Sequence, residues 1–334
     1  MKDCGEEEKG SFVDEEKFKE TLSGGEEDAA KGVIQFVLDV VKEIQGSVDQ
    51  LGRPNATQKK KGTKRAPKLE VIKEEEEEME LNKIYNMDCL EGMRMLDDNC
   101  IDLTVTSPPY DDLRKYNGYS FNFESIAKEL YRVTKNGGVV VWIVSDKTYK
   151  GSETLTSFKQ ALFFKEIGFN VLDTMIWKKP TFTDTGSLKV RYGNVFEYMF
   201  VFTKGKCKTF NPIKDRRNKY AGSQKHGTVR QIDGSVKDIS SKGKKIAEFG
   251  QRFNVWEITP EKNNKTIHPA VFPEQLVHDH IISWSNERDI IMDIFMGSGT
   301  TAKVCKLTNR NYIGFEISNE YCQIAEERLS KIMV

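Results

Sequence analysis

The sequence predicts an α/β protein built on a doubly wound, mostly parallel sheet with an antiparallel hairpin at its edge. Three observations carry this. Short apolar runs of strand length recur from residue 82 to the C-terminus, helical patterns separate several of them, and one late run passes through a glycine-rich turn straight into a helix.

The strand signals, in chain order, are NKIYNMD (82–88), IDLTVTSPP (101–109), GGVVVWIV (137–144), FNVLDTMIW (169–177), VFEYMFVFTK (195–204), DIIMDIF (289–295) and NYIGFEI (311–317). Between them SFNFESIAKELYRVTKN (120–136) and EQLVHDHIISWSN (274–286) carry helical patterns. The VFEYMFVFTK run suits an antiparallel hairpin edge. Upstream, residues 1–28 are acidic and weakly patterned, whereas AAKGVIQFVLDVVKEIQ (29–45) places Val33, Val37, Val40, Val41 and Ile44 on one helical stripe. A polar, Gly/Pro-punctuated linker with a small basic cluster (59–65) and an acidic run follow. No internal repeat is visible. The predicted organisation is an N-terminal extension (1–80), two halves of one domain (81–203 and 256–334), and a basic region between them (204–255).

Net charge is zero over 334 residues, but the balance is uneven. Residues 204–252 hold 14 Lys/Arg against 4 Asp/Glu, interleaved with Gly, Ser and Asn, a composition suited to phosphate contact. No apolar run approaches the ~18–20 residues of a membrane-spanning helix, and the acidic N-terminus lacks a signal peptide's basic start, so the expected location is intracellular. The six cysteines show no C-x-x-C spacing, which argues for packing rather than a metal or disulfide framework.

Two segments carry chemistry. In DIIMDIFMGSGTTAKVCKL a strand enters a helix through Gly297, Ser298 and Gly299, so bare backbone and a helix N-terminus face one ligand. Gly297, Gly299 and Ala302 fit a dinucleotide-binding pattern, with Glu316 placed to bind ribose hydroxyls, and a nicotinamide-dependent dehydrogenase stays open on that loop alone. The other segment is TSPPY, which ends the strand IDLTV. Its prolines fix the Ser107 hydroxyl and the Pro108 carbonyl as hydrogen-bond acceptors, with the Tyr110 ring beside them as a stacking surface. Acceptors plus a ring suit a planar base bearing an amino group. Asp111 and Asp112 read as solvated loop.

TSPPY (106–110) followed much later by DIFMGSGTT (293–301) resembles the S-adenosylmethionine-dependent amino-group DNA methyltransferases, which methylate N4 of cytosine or N6 of adenine. Their catalytic motif reads S/D/N-P-P-Y/F/W and their cofactor motif D-x-F-x-G-x-G. The order found here, catalytic motif first, basic region next and cofactor loop last, resembles the circularly permuted β class. The resemblance spans about residues 82–334 and includes NMDCLEGMRML (86–96) and HPAVFPEQLV (268–277).

It implies a class I, Rossmann-like methyltransferase fold, with Ser107, Pro108, Pro109 and Tyr110 as the catalytic segment. It further implies that Asp293, Phe295, Gly297, Gly299 and Thr300 surround the methionine part of S-adenosyl-L-methionine. Glu316 would take the ribose hydroxyls, and Asp88 with the Cys89 backbone the adenine. His268, Pro269, Phe272 and Pro273 match the segment whose helix covers the cofactor. Asp293-Ile294-Phe295 departs from the commoner Asp-Pro-Phe. Double-stranded DNA is the implied partner, and a homodimer and a companion restriction endonuclease fit the same setting. In the basic region Arg216, Arg217, Asn218 and Lys219 are the weakly favoured DNA contacts. The serine of the first motif position favours N4-cytosine over N6-adenine. A noncatalytic DNA-binding module is the remaining alternative.

Overall fold

The computed structural model describes residues 79–109, 121–182, 188–261 and 272–332. The helix expected over 29–45, and Tyr110, Asp111, Asp112, His268 and Pro269, lie outside those residues. The chain runs β1 (Lys83–Asn86), α1 (Cys89–Arg94), β2 (Ile101–Thr106), α2 (Phe123–Val133), β3 (Thr134–Val144), β4 (Thr148–Tyr149), β5 (Ser152–Glu153), α3 (Thr156–Glu166), β6 (Asn170–Lys178) and β7 (Phe196–Thr203). It continues with β8 (Arg216–Arg217), β9 (Thr228–Arg230), β10 (Val236–Asp238), β11 (Phe249–Gly250), β12 (Val255–Glu257), α4 (Glu274–Trp284), β13 (Ile290–Asp293), α5 (Thr300–Leu307), β14 (Asn311–Glu316) and α6 (Asn319–Ser330).

Eight strands make the main sheet, in the order β1-β14-β13-β2-β3-β7-β6-β12. Every pairing from β1 across to β3 is parallel, as is β12 with β6, while β7 runs antiparallel to both β3 and β6. The side-chain period of two splits the buried residues between two faces. Leu103, Val105, Val139, Val141 and Ile143 face α4, α5 and α6, whereas Val140, Trp142 and Val144, with Ile101 beyond a register shift in β2, pack with residues of α1, α2 and α3. Local signals fix the helix starts. Asp88 caps α1 by accepting from the Leu90 and Glu91 N–H groups, Asn122 caps α2 and Ser318 caps α6. No helix among the described residues is long and apolar enough to cross a membrane.

The antiparallel hairpin is present as β6–β7, but it is not the edge. The edge is β12, three residues that Trp256 anchors by burying its indole, and Trp177 Nε1 donates to the Ile258 carbonyl beside it (2.8 Å). A strand this short has no readable period, which is why the sequence showed no signal there.

The basic segment forms a two-stranded arm. Its strands pair at β8–β11, touch again through a Gln224–Lys245 bridge, and pair once more at β9–β10 before a tip over residues 231–235. Nearly every residue of the arm is exposed or half-exposed, so it has no core of its own. One side chain fixes its base. Arg252 donates from Nε and Nη2 to Asp215 Oδ2 (2.9 and 2.5 Å) and from Nη1 to Asp279 Oδ2 of α4 (2.5 Å), and its guanidinium lies 5.1 Å from the Trp256 ring centre. Asp279 is almost fully buried and also accepts from Gln275 Nε2. Removing the arginine leaves that buried carboxylate with Gln275 and His278 but without its guanidinium. Arg252→Ala should cost about 2–4 kcal/mol of stability by chemical denaturation, and limited proteolysis should cut the arm faster than the sheet.

Candidate active site

Parallel strands β2 and β13 are neighbours, so the segments leaving their carboxyl ends, 107–109 and 294–299, emerge side by side. A hydrogen-bond junction fixes this. Thr106 Oγ1 donates to Asp293 Oδ1 (2.8 Å), Thr301 Oγ1 of α5 donates to Oδ2 (2.6 Å), and the Phe295 N–H also donates to Oδ1 (3.1 Å). Asp293 is buried, and burial pushes its carboxyl up to about 6 while the bonds from Thr301, Thr106 and Phe295 pull it down.

The glycine loop follows. Gly297 and Gly299 have φ of +53° and +78°, and a Cβ on Gly299 would stand 2.7 Å from Ala325 Cβ, so the close turn needs glycine there. Glu316, at the end of β14, accepts from the Gly297 N–H through Oε2 and from the Ser318 N–H through Oε1 (both 2.8 Å). Burial raises its pKa against those backbone bonds. Each oxygen keeps further acceptor capacity, as a ribose diol requires. Behind the loop stands an ionic brace. Arg328 Nη1 donates to the Ser298 carbonyl (2.6 Å) and Oγ (2.8 Å), Arg328 Nη2 to Glu274 Oε1 (3.2 Å), and Lys303 Nζ to the same oxygen (2.5 Å).

The other expected residues fall as follows. Pro108 is buried, and Ser107 and Pro109 are half-buried at the β2 end. Phe295 packs on Phe121 with ring centres 5.9 Å apart, and Thr300 is buried at the start of α5. Asp88 and Cys89 follow β1, whose Asn86 pairs with Glu316, and Asp88 Oδ1 is the α1 cap while Cys89 is buried. Phe272 packs against the core and Pro273 begins α4. Arg216, Arg217, Asn218 and Lys219 sit in the arm, away from the two motifs in the fold's topology. There Arg217, Asn218 and Lys219 line an open concavity of about 730 Å³ with Ala221, Gly222, Ile246 and Glu248. Arg216 instead donates to the Gln251 carbonyl and stacks on Phe253. Missed from sequence were Thr106, Thr301, Glu274, Lys303 and Arg328, whose pairings have no local spacing.

A positive-φ glycine cradle, an acceptor carboxylate at the next strand end and an antiparallel strand beside β3 define the Rossmann-like methyltransferase class. The chain belongs to the DNA methylase family of N6 and N4 methyltransferases, whose family model matches residues 101–327. It is 58% identical over 245 residues to the orphan methyltransferase M.BamHII of Bacillus amyloliquefaciens, covering 71% of this chain and 91% of that one. It is 30% identical to the type II methyltransferase M.BglII of Bacillus subtilis, covering 75% of this chain and 69% of that one. Among solved structures the cytosine-N4-specific PvuII DNA methyltransferase shares the fold, with a TM-score of 0.55 and 20% identity over 75% of this chain and 88% of that one. The chain is thus a DNA amino-methyltransferase, with DNA as its substrate.

An Asp293 carboxyl that titrates near 6 folded and near 3.8 unfolded binds more protons in the fold between those values. Its contribution is therefore fully present below the unfolded value and is lost as pH rises through the folded one. Asp293→Asn cannot ionise, so relative to wild type it should gain on the order of 2 kcal/mol in stability between about pH 4 and about pH 7.5, read as unfolding midpoints at the two pH values. Gly299→Ala meets both the φ and the Ala325 contact. It should lose about 2–4 kcal/mol and, by calorimetry, most of its affinity for S-adenosyl-L-methionine.

Proposed function

We propose that the protein transfers a methyl group from S-adenosyl-L-methionine to the exocyclic N4 amine of cytosine, at a specific site in double-stranded DNA, as a β-class enzyme. The Asp293 junction carries this reading, because it holds the acceptor segment 107–109 against the glycine loop.

The loop fits the cofactor. Gly297 and Gly299 leave room for close approach, the 297–300 backbone with Asp293 and Phe295 would hold the methionine part, and Glu316 would accept from the ribose hydroxyls. Asp88 and the Cys89 backbone lie after β1, next to β14, where the adenine would sit. When bound, S-adenosyl-L-methionine supplies an electrophilic methyl on its sulfonium.

The chain's own residues act on the amine. An exocyclic amine is a poor nucleophile because its lone pair is delocalised into the ring. Ser107 Oγ and the Pro108 carbonyl accept hydrogen bonds from its two protons, draw the nitrogen toward a tetrahedral shape and aim the lone pair. The prolines keep both acceptors fixed, which removes a reorganisation cost at the moment of transfer. No covalent enzyme intermediate is needed, and no cysteine follows a proline in the sequence. The target base must leave the duplex to reach this segment, at a cost of a few kcal/mol that stacking on Tyr110 would partly offset. The arm supplies the duplex contacts: its lysines and arginines suit phosphates, and its two-stranded form suits a major groove wide enough for a β-ribbon. The serine of the first motif position favours cytosine as acceptor. Relatives named both orphan and type II methyltransferases leave a companion endonuclease outside the proposal.

Nucleoside mass spectrometry of DNA treated with the purified protein should show N4-methylcytosine; N6-methyladenine alone would overturn the cytosine assignment. Ser107→Ala should lower methyl transfer roughly 100-fold or more, with S-adenosyl-L-methionine affinity within about 3-fold of wild type, since it removes an acceptor used only by the amine.

A further inference from the structure

Residues 188–192, ahead of β7, expose apolar surface that the fold does not need. Tyr192 is 99% exposed, Val190 80% and Leu188 54%, and Tyr149 on the neighbouring β4–β5 ribbon is 59% exposed. Single exposed apolar residues are ordinary, whereas a cluster of them on one surface marks a contact site.

Fixed backbone presents this cluster. Arg191 Nη1 donates to Thr148 Oγ1 (2.5 Å) and Nη2 to the Gly151 carbonyl (2.9 Å), which ties this segment to the ribbon. The Lys179 N–H donates to the Val195 carbonyl (2.6 Å), and a Cβ on Gly193 would meet the Phe182 ring at 3.0 Å. Tyr192 therefore stands on a held turn with its ring in solvent.

The sheet register places that ring. Thr106 pairs with Trp142, Val144 with Tyr198, and Lys178 with Phe196, so this segment and the β4–β5 ribbon project from the same end of the sheet as residues 107–109. Strand β7 lies two strands from β2, about 10 Å at the usual spacing of ~4.8 Å. That is less than the ~12 Å width of a B-DNA major groove. A duplex brought to Ser107 at this end of the sheet would therefore also pass close to the segment that enters β7.

The charges agree. Lys147, Lys150, Lys189 and Arg191 lie on the two segments, with Lys150 Nζ 5.2 Å from the centre of the Tyr149 ring. Of the nearby acids, Asp146 accepts from the Ser157 N–H and hydroxyl, Glu197 is paired with Lys179, and Glu153 is exposed on β5. Aromatic rings interleaved with lysine and arginine suit stacked bases flanked by phosphates.

We infer that this surface, separate from the arm, contacts the duplex beside the target nucleotide, with Tyr192 stacking into the space the extruded base vacates and Lys189 and Lys150 facing the backbone phosphates. The inference rests on the proposed function, because it requires a base that leaves the duplex. Extrusion opens a gap in the stack, and a planar side chain that fills it keeps the base from returning.

The test uses Tyr192→Ala and Tyr192→Trp in the full chain. The substrates are duplex oligonucleotides carrying the protein's own methylation site, as mapped by sequencing DNA that the wild type has methylated. One substrate is fully paired and the other has an abasic position opposite the target base. Single-turnover methyl transfer by Tyr192→Ala should fall about 10- to 100-fold on the paired duplex, the range that one stacking contact supplies. On the abasic-opposed duplex, where the target is already unpaired, it should stay within about 3-fold of wild type. Tyr192→Trp should match wild type on both. Equal loss on both substrates, or no loss on the paired one, overturns the inference. A second readout is the fluorescence of 2-aminopurine at the target position, which wild type should raise and Tyr192→Ala should raise less. Wild type whose mapped product is N6-methyladenine, with Tyr192→Ala still impaired on the paired duplex alone, overturns the proposed function alone. Wild type that transfers methyl while Tyr192→Ala equals it on the paired duplex overturns the inference alone.

Discussion

The buried carboxylate of Asp293 is the constraint on which the site depends. A charge that far from water is tolerable only if donors surround it, and they come from three places: the hydroxyl ending β2, a hydroxyl in the first turn of α5, and the backbone N–H of Phe295. Satisfying one carboxylate therefore sets the distance between segments 187 residues apart in the chain. Its upward-shifted pKa shows that the donors do not fully offset the burial. The same bonds hold the end of β2 beside the end of β13 and the first turn of α5.

The fold was legible where many residues repeat one message. Strand β3 is continuously buried from Gly138 to Val144 and reads as an uninterrupted apolar run, and the glycine loop announces itself through residues that must adopt positive φ. The place of Glu316 beside the glycine turn was legible for a similar reason, since it ends the next strand; the structure adds that it accepts from the Gly297 N–H. Other features had nothing local to read. The brace of Glu274, Lys303 and Arg328 joins three helices, and no spacing connects its members. Three-residue β12 is too short to alternate. The arm's charge was plain from composition, but its pairing was not, because strands solvated on both faces carry no apolar alternation. Tyr110, His268 and Pro269 lie outside the described residues, and their roles, like those of the other site residues, are sequence-based expectations.

Helix α4 links regions that the sequence presents as unrelated. Its first residue, Glu274, receives the two cations behind the glycine loop, and Asp279, five residues on, receives Arg252 at the base of the arm. At 1.5 Å per residue these anchor points are about 7.5 Å apart on one rigid element. Any displacement of α4 that favoured one occupant would be felt at the other anchor, and thermodynamic linkage makes such an effect equal in both directions. Its mid-section is meanwhile locked into the core by Leu276, Val277 and Ile281, which limits how far it can shift.

The arm leaves and rejoins the domain at almost one point, where the Arg252 N–H donates to the Ile213 carbonyl at 2.9 Å. Between those two residues the strand pairings are all within the arm. The sheet's register and the Asp293 junction therefore place no demand on what lies beyond the clamp, and closure entropy grows only slowly as an insert lengthens. Seen this way, the arm is an interchangeable part. A change of length or sequence beyond the clamp would leave the eight-stranded sheet and the glycine loop as they are, so the two parts of the chain answer to separate physical demands.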